Sequence, residues 1–272
     1  MKTDITQEQI DSYQKNGFIV FDEFLNTAEL TEWRETVDLA VAERRGQKLP
    51  GGTAVAGEDD TLNFDADYYG KVFEQMINLW QTNERMKKLI LDPRIGKMAT
   101  DLSGTKGIRS WHDQALIKKP WGNPTGLHLD TPYWSFHHPE ALSIWIALDD
   151  VTLANGSLFF IPGSHRKTSF KVTPIGKNMD AIFEIYPELR TSPSVAAPMK
   201  AGSCSFHNGL CIHGAHANMT PGLRRAMTCA FMPDGSTFNG QRNILPEAQF
   251  NRLTIGDLMN DEEQNPLIYS TE

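Results

Sequence analysis

Long apolar runs, closely spaced cysteine pairs and an excess of basic charge are all missing from this sequence, and each absence removes a class of function. Its uninterrupted apolar stretches, such as Ile144 to Leu148, fall far short of the roughly 20 residues that a membrane-spanning helix requires. Met1-Lys2-Thr3-Asp4-Ile5-Thr6 contains no apolar core of a secretory signal, so the expectation is a cytoplasmic protein with no membrane partner. The 3 cysteines, Cys204, Cys211 and Cys229, are odd in number and lack C-x-x-C spacing. They read as reduced core thiols rather than as a disulfide framework or a thiolate metal site. The net charge of -8 denies the chain the basic surface on which nucleic-acid binding rests, and the runs Lys87-Lys88 and Lys118-Lys119 are too short to supply one. Internal repeats and low-complexity segments are also lacking.

What is present is a chain of 272 residues with near-average apolar and charged fractions, enough for a substantial core in a single domain. Its first part, about 1–103, carries helical signals. Thr6 with Gln9 resembles a capping box for a helix over 6–16 that Gly17 closes, and Phe18-Ile19-Val20-Phe21 reads as a strand. Asn26 with Glu29 starts a second helix, with Leu30, Trp33, Val37, Ala40 and Val41 on one side. Residues 46–67 turn Gly-rich and polar, a long loop that would suit a lid. The pattern over 70–81 and 83–103 predicts helices, with a break at Asp92-Pro93 because the residue before proline disfavours the helical region.

After Gly104 the texture becomes β, with strands expected at 108–118, 126–134, 141–148, 157–161, 203–213 and 224–232, punctuated by Gly, Pro and Asn-Gly turns. Helices followed by six or more short strands predict a mainly β fold, an antiparallel sandwich or barrel with helices on one face, over about 104–233. The tail, 234–272, shows no clear pattern.

Within the second expected strand, His128 and Asp130 stand two residues apart. In an extended chain they share a face, with Leu129 turned the other way. Two donors on one face are half of a metal site. His213, far downstream, is placed to return on a neighbouring strand and complete a two-histidine, one-carboxylate triad, which leaves coordination positions open and suits non-haem iron(II). His216 has the opposite strand parity and fits less well. Eleven residues beyond His213, after a Pro221-Gly222 turn that would fold its strand back alongside, comes Arg224, a planar fork for a carboxylate. Arg225 should face the other side in a structural role. Tyr133, Trp134, Phe136, Trp111 and Trp121 give the metal strand an aromatic neighbourhood, which favours a partly apolar small-molecule substrate.

The ordered set His128-x-Asp130, Asn155-Gly156-Ser157-Leu158-Phe159-Phe160-Ile161-Pro162-Gly163-Ser164-His165, then Ile212-His213-Gly214 and Arg224 resembles the phytanoyl-CoA dioxygenase family of iron(II)- and 2-oxoglutarate-dependent oxygenases, over about 18–231. The resemblance implies a double-stranded β-helix core of the jelly-roll, cupin-like kind. It implies that Fe(II), 2-oxoglutarate and O2 are used to hydroxylate or otherwise oxidise a substrate, with release of succinate and CO2. Residue by residue, His128, Asp130 and His213 match the iron ligands and Arg224 matches the arginine that grips the distal carboxylate of 2-oxoglutarate. Trp145 resembles a tryptophan of the co-substrate pocket, with plain core packing as the alternative. Gln114 and Lys71 sit where relatives place polar contacts to the co-substrate. His165 resembles a structural position, while His137 and His138 stand near the expected mouth of the site. Ala215 departs from members that carry a serine there, which removes one expected hydrogen bond. Related halogenases have a small residue at the position of Asp130, so its carboxylate favours oxygen-based chemistry over halogenation. Two rivals remain open on sequence alone: a cupin-type metal hydrolase or isomerase that ignores 2-oxoglutarate, and a non-catalytic sandwich that binds a partner.

Overall fold

The computed structural model describes residues 1–46, 68 and 70–271; apart from Gly46, the Gly-rich segment read as a possible lid lies outside the described residues. The first helix, α1 (Gln7–Asn16), is closed at its start by the reciprocal Thr6 and Gln9 hydrogen bonds and at its end by Gly17, whose φ of 79° is in the left-handed region that glycine adopts without strain. Strand β1 (Phe18–Phe21) follows, then α2 (Thr27–Arg44), capped in the same way by Asn26 and Glu29. Helix α2 buries Trp33, Val37, Ala40 and Val41 at helical spacing. Helices α3 (Glu84–Ile90) and α4 (Pro93–Ser103) meet at Asp92, whose side chain caps α4 just before Pro93.

The remaining strands are β2 (Glu74–Ile77), β3 (Gly107–Lys118), β4 (Thr125–His128), β5 (Leu142–Ala147), β6 (Leu158–Phe160), β7 (Val195–Ala197), β8 (Cys204–Asn208), β9 (His213–Ala215), β10 (Arg224–Pro233) and β11 (Leu267–Ser270). They form two antiparallel sheets. The larger runs β1-β8-β5-β10-β3-β11, with β2 also paired to β3; the smaller runs β4-β9-β6-β7. This is the β-rich architecture with flanking helices that the sequence predicts.

Side-chain alternation sorts the larger sheet into two faces. Leu142, Ile144 and Ile146 of β5, Cys204 and Phe206 of β8, and Met227, Cys229 and Phe231 of β10 join the helices in one apolar cluster. Each fully buried aliphatic side chain there contributes about 1.5–3 kcal/mol relative to exposure. The opposite face looks toward the smaller sheet: Trp145, Ala147 and Ala226 cluster there with Leu158, Phe160 and Ala215. Polar residues of that inner face border the site, whose two imidazoles come from the smaller sheet.

Several local expectations change. Residues 70–81 form β2 and a 3-10 turn, Leu79–Gln81, instead of a helix. The spacing of Phe73, Met76, Ile77 and Trp80 mimics a helical face, but the edge of β3 supplies hydrogen-bond partners and takes the segment as a strand. The expected strand 203–213 is two, β8 and β9, lying in different sheets and separated by the turn around Gly209. For the same reason His213 and Arg224 are not on paired strands: β9 pairs with β4 and β6, whereas β10 pairs with β3 and β5. The tail supplies β11, an additional edge for β3.

Candidate metal centre and co-substrate pocket

His128 and His213 are direct partners across the β4 and β9 pair, with ring centroids 4.2 Å apart. Strand alternation does not place Asp130. Strand β4 ends at His128, and Asp130 has φ -85° and ψ -53°, a helical conformation. The carbonyl of Gly209 holds it there by accepting from the backbone N–H groups of Asp130 (2.9 Å) and Thr131 (3.1 Å). The chain turns back at this point and brings the carboxylate beside both imidazoles.

Each imidazole is fixed in one tautomer. His128 Nδ1 is 2.8 Å from the Gly126 carbonyl and His213 Nδ1 is 3.0 Å from the Cys211 carbonyl. A carbonyl only accepts, so both Nδ1 atoms carry hydrogen, and Nε2 is the atom each ring turns toward Asp130. Those Nε2 atoms lie 3.5 Å (His128) and 3.7 Å (His213) from Asp130 Oδ1, and the three candidate donor atoms fall within 4.8 Å of one another. Burial first, then neighbouring His128, push the His213 imidazole down to about 3, so it is neutral and ready to ligate at physiological pH. Burial alone would raise the Asp130 carboxyl, yet the surrounding imidazoles, His213 first, hold it well below the usual carboxylate range.

Two further groups hold the other carboxylate oxygen. Ser143 Oγ donates to Asp130 Oδ2 at 3.3 Å, and His207 Nε2 lies 3.3 Å from the same atom. Ser143 and His207 face each other across the β5 and β8 pair. Sequence reasoning assigned neither residue a role, because their approach to Asp130 depends on the pairing of distant strands. The inward parity of His207 on β8 is the one signal that could have singled it out.

Arg224 begins β10 on the inner face and is only 2% exposed. Its guanidinium carbon lies 5.1 Å from the Trp145 ring centroid, and its Nε and Nη1 have no hydrogen-bond partner among the described residues. Burial pulls its pKa down to about 10. A buried guanidinium stacked on an aromatic ring and short of acceptors is a site made for an anion. Arg225 faces outward as expected, bound to Asp149 by two side-chain hydrogen bonds (2.7 and 3.0 Å) and to Asp38 of α2 at 2.7 Å.

Gln114, on the inner face of β3, accepts from Gln75 at 2.5 Å, and its Nε2 lies 3.2 Å from the His112 ring. Burial pushes His112 down to about 4, leaving a neutral imidazole edge-on to Trp134. Lys71 has an exposed side chain in the turn before β2, and its backbone carbonyl accepts from Asn123. Trp111, Trp134 and Phe136 pack together as an apolar wall, but Trp121 is 64% exposed and does not belong to it. His137 stacks on Phe170 at 4.5 Å, and His138 Nδ1 accepts from the Glu140 backbone. His165 anchors on the carbonyl of Gln14, and His216 bonds to Ser157, away from the triad. Ala215 lies in the apolar cluster between the sheets. All three cysteines are buried free thiols.

Two imidazoles and a carboxylate at one end of a two-sheet β-helix, with a partner-poor guanidinium on its inner face, define the non-haem iron oxygenase class. The chain belongs to the phytanoyl-CoA dioxygenase family, whose model matches residues 13–226, and is thereby an iron(II)- and 2-oxoglutarate-dependent dioxygenase. Among relatives, mouse peroxisomal phytanoyl-CoA dioxygenase is 27% identical, aligned over 84% of this chain and 68% of its own length. Methylphosphonate hydroxylase of Gimesia maris is 26% identical, covering 84% of this chain and 80% of its own. Among solved structures, the non-haem alpha-ketoglutarate-dependent carbocyclase SnoK of nogalamycin biosynthesis superposes with a TM-score of 0.76 at 24% identity, covering 97% of this chain and 96% of its own. Among the described residues no helix is long and apolar enough to cross a membrane.

Proposed function

We propose that His128, Asp130 and His213 hold iron(II), that Arg224 binds the distal carboxylate of 2-oxoglutarate over Trp145, and that the enzyme hydroxylates a small organic substrate. Bound iron(II) with 2-oxoglutarate and O2 supplies the oxidising chemistry, with succinate and CO2 as co-products. The chain's own residues prepare for it. The carbonyls of Gly126 and Cys211 keep both Nε2 atoms aimed inward, and Ser143 with His207 leaves Asp130 Oδ1 turned to the imidazoles. Gln114, bridging Gln75 and His112, borders the co-substrate, and Lys71 approaches it from the turn before β2. Trp111, Trp134 and Phe136 shield the substrate side from water. Asp130 fills the position that a halide would need, which supports hydroxylation over halogenation.

The observation that carries this reading is Arg224, whose buried guanidinium lacks the acceptors that folding would otherwise supply. A hydrolase or isomerase that ignores 2-oxoglutarate has no use for it. Relatives include enzymes named for an acyl thioester and for methylphosphonate, so the substrate is proposed here only as a small organic molecule. Strands β1 and β11 both pair into the larger sheet, which supports one catalytic unit over residues 1–272. The buried free thiols fit a reducing compartment, and we place the protein in the cytoplasm. The test is anaerobic titration with iron(II) and 2-oxoglutarate, followed by the visible charge-transfer band of the chelate. A folded protein that gives no band overturns the proposal.

A further inference from the structure

We propose that Lys118 is a second cationic contact for the distal carboxylate of 2-oxoglutarate, acting beside Arg224. The inference rests on the reading of Arg224 above and adds a residue that lies in none of the recognised motifs. The basic pair at the end of β3 divides: Lys119 points to solvent and reaches Glu74 at 3.6 Å, while Lys118 is 0% exposed. Lys118 shares parity with Gln114 and Leu116, so it lies on the inner face of the larger sheet, and its direct partner across the strand pair is Arg224. Opposed residues of an antiparallel pair have Cβ atoms about 4.5–5.5 Å apart, and like charges in that arrangement repel.

No carboxylate in the described part of the chain forms an ion pair with either cation; Asp149, engaged with Asp38 by adjacent Arg225, acts on Arg224 only through space. The Lys118 ammonium has three N–H groups, and one of them donates to the Asn123 carbonyl at 2.6 Å. Burial, with the Arg224 charge adding to it, pulls the amine down to about 7.

The surrounding backbone makes room for the lysine. A Cβ at Gly156 would meet Lys118 Cδ at 2.7 Å, and one at Gly122 would meet Cγ at 3.3 Å. Two buried cations facing each other are costly unless an anion shares them. A carboxylate has about four lone-pair sites, of which an arginine fork uses two. The hydroxyl missing at Ala215 leaves room for a further donor, and Lys118 supplies one. The alternative is that Lys118 only anchors the loop through Asn123.

The experiment uses the full-length protein loaded with nickel(II), which does not turn over, and calorimetric titration with 2-oxoglutarate and with 2-oxovalerate. The second compound keeps the chelating end but lacks the distal carboxylate. In K118M, 2-oxoglutarate binding weakens roughly ten- to hundredfold, the worth of one charge-assisted hydrogen bond, while 2-oxovalerate binding changes by less than about twofold. K118Q keeps a donor for the Asn123 carbonyl and gives the same selective loss, which separates charge from loop anchoring and serves if K118M does not fold. Equal weakening of both ligands, or unchanged 2-oxoglutarate affinity, overturns the inference. A wild-type protein that binds the two ligands equally well instead overturns the reading of Arg224, a distinguishable result.

Discussion

His207 Nε2 lies 3.3 Å from Asp130 Oδ2, while both candidate metal-binding imidazoles lie on the side of Oδ1. The two oxygens of one carboxylate are thus divided between support and ligation, and the support comes from the larger sheet although the imidazoles sit on the smaller one. Partners of this kind typically change metal affinity by about 10- to 100-fold. H207F is expected to weaken cobalt(II) binding by roughly that factor, measured by competition with a chelator, and H207Q, which retains a donor, to recover part of it. Unchanged affinity in H207F would remove His207 from the metal centre.

Arg224 is buried without the acceptors it needs, so its presence burdens the apoprotein. Replacing such a charge with an apolar side chain of similar length is often neutral or stabilising. R224M should therefore melt at or above the temperature of the wild type when both are free of co-substrate. The added stability that 2-oxoglutarate gives the iron-loaded wild type should vanish in the variant. Thermal melts with and without the co-substrate check both halves, and a large loss in the apoprotein would mean that Arg224 is structural.

The Lys118 amine titrates at about 7 in the folded chain against 10.5 ordinarily, first because it is buried and then because Arg224 is near. Between those values the unfolded chain holds the extra proton, so the Lys118 contribution makes stability rise with pH. K118M removes that contribution. Its stability advantage over wild type should be greatest near pH 6 and shrink steadily toward pH 10. Urea denaturation of both proteins across this range measures the gap, and a gap independent of pH would contradict the environment described for Lys118.

Gly209 accepts the two backbone hydrogen bonds that turn Asp130 inward, and a Cβ there would overlap the Thr131 hydroxyl. G209A should displace the turn carrying Asp130. The expected outcome is a loss of metal affinity of at least about tenfold, comparable with removal of a supporting side chain, while far-ultraviolet circular dichroism stays near wild type. Retained affinity would show that Thr131 can move away without taking Asp130 with it.

Much of this architecture is written in local signals. Thr6 with Gln9 and Asn26 with Glu29 mark helix starts correctly because capping is decided within four residues. Strand alternation likewise separates Arg224 from Arg225. Asp130 shows the limit: the H-x-D pattern proposes the right neighbours through the wrong geometry, since the carboxylate reaches the imidazoles through a turn held by Gly209, some 80 positions downstream. Strand β2 was hidden because its apolar spacing also fits a helix, and only the open edge of β3 decides between them. His207, Ser143 and Lys118 carried no motif, because each gains its meaning from the residue opposite it on another strand.

The adjacent arginines of β10 have a consequence for the fidelity of folding. A slip of one position would turn Arg225 into the barrel and swing Arg224 out toward Asp149 and Asp38, so charge alone barely distinguishes the correct pairing from its nearest error. That discrimination falls to Met227, Cys229 and Phe231, which a slip would tear from the helical layer, and to the irregularity between Ala230 and Phe231 that locks the far end of the strand against β3. Proofreading of the co-substrate pocket is thus entrusted to apolar side chains on the opposite face of the strand, none of which a ligand would ever touch.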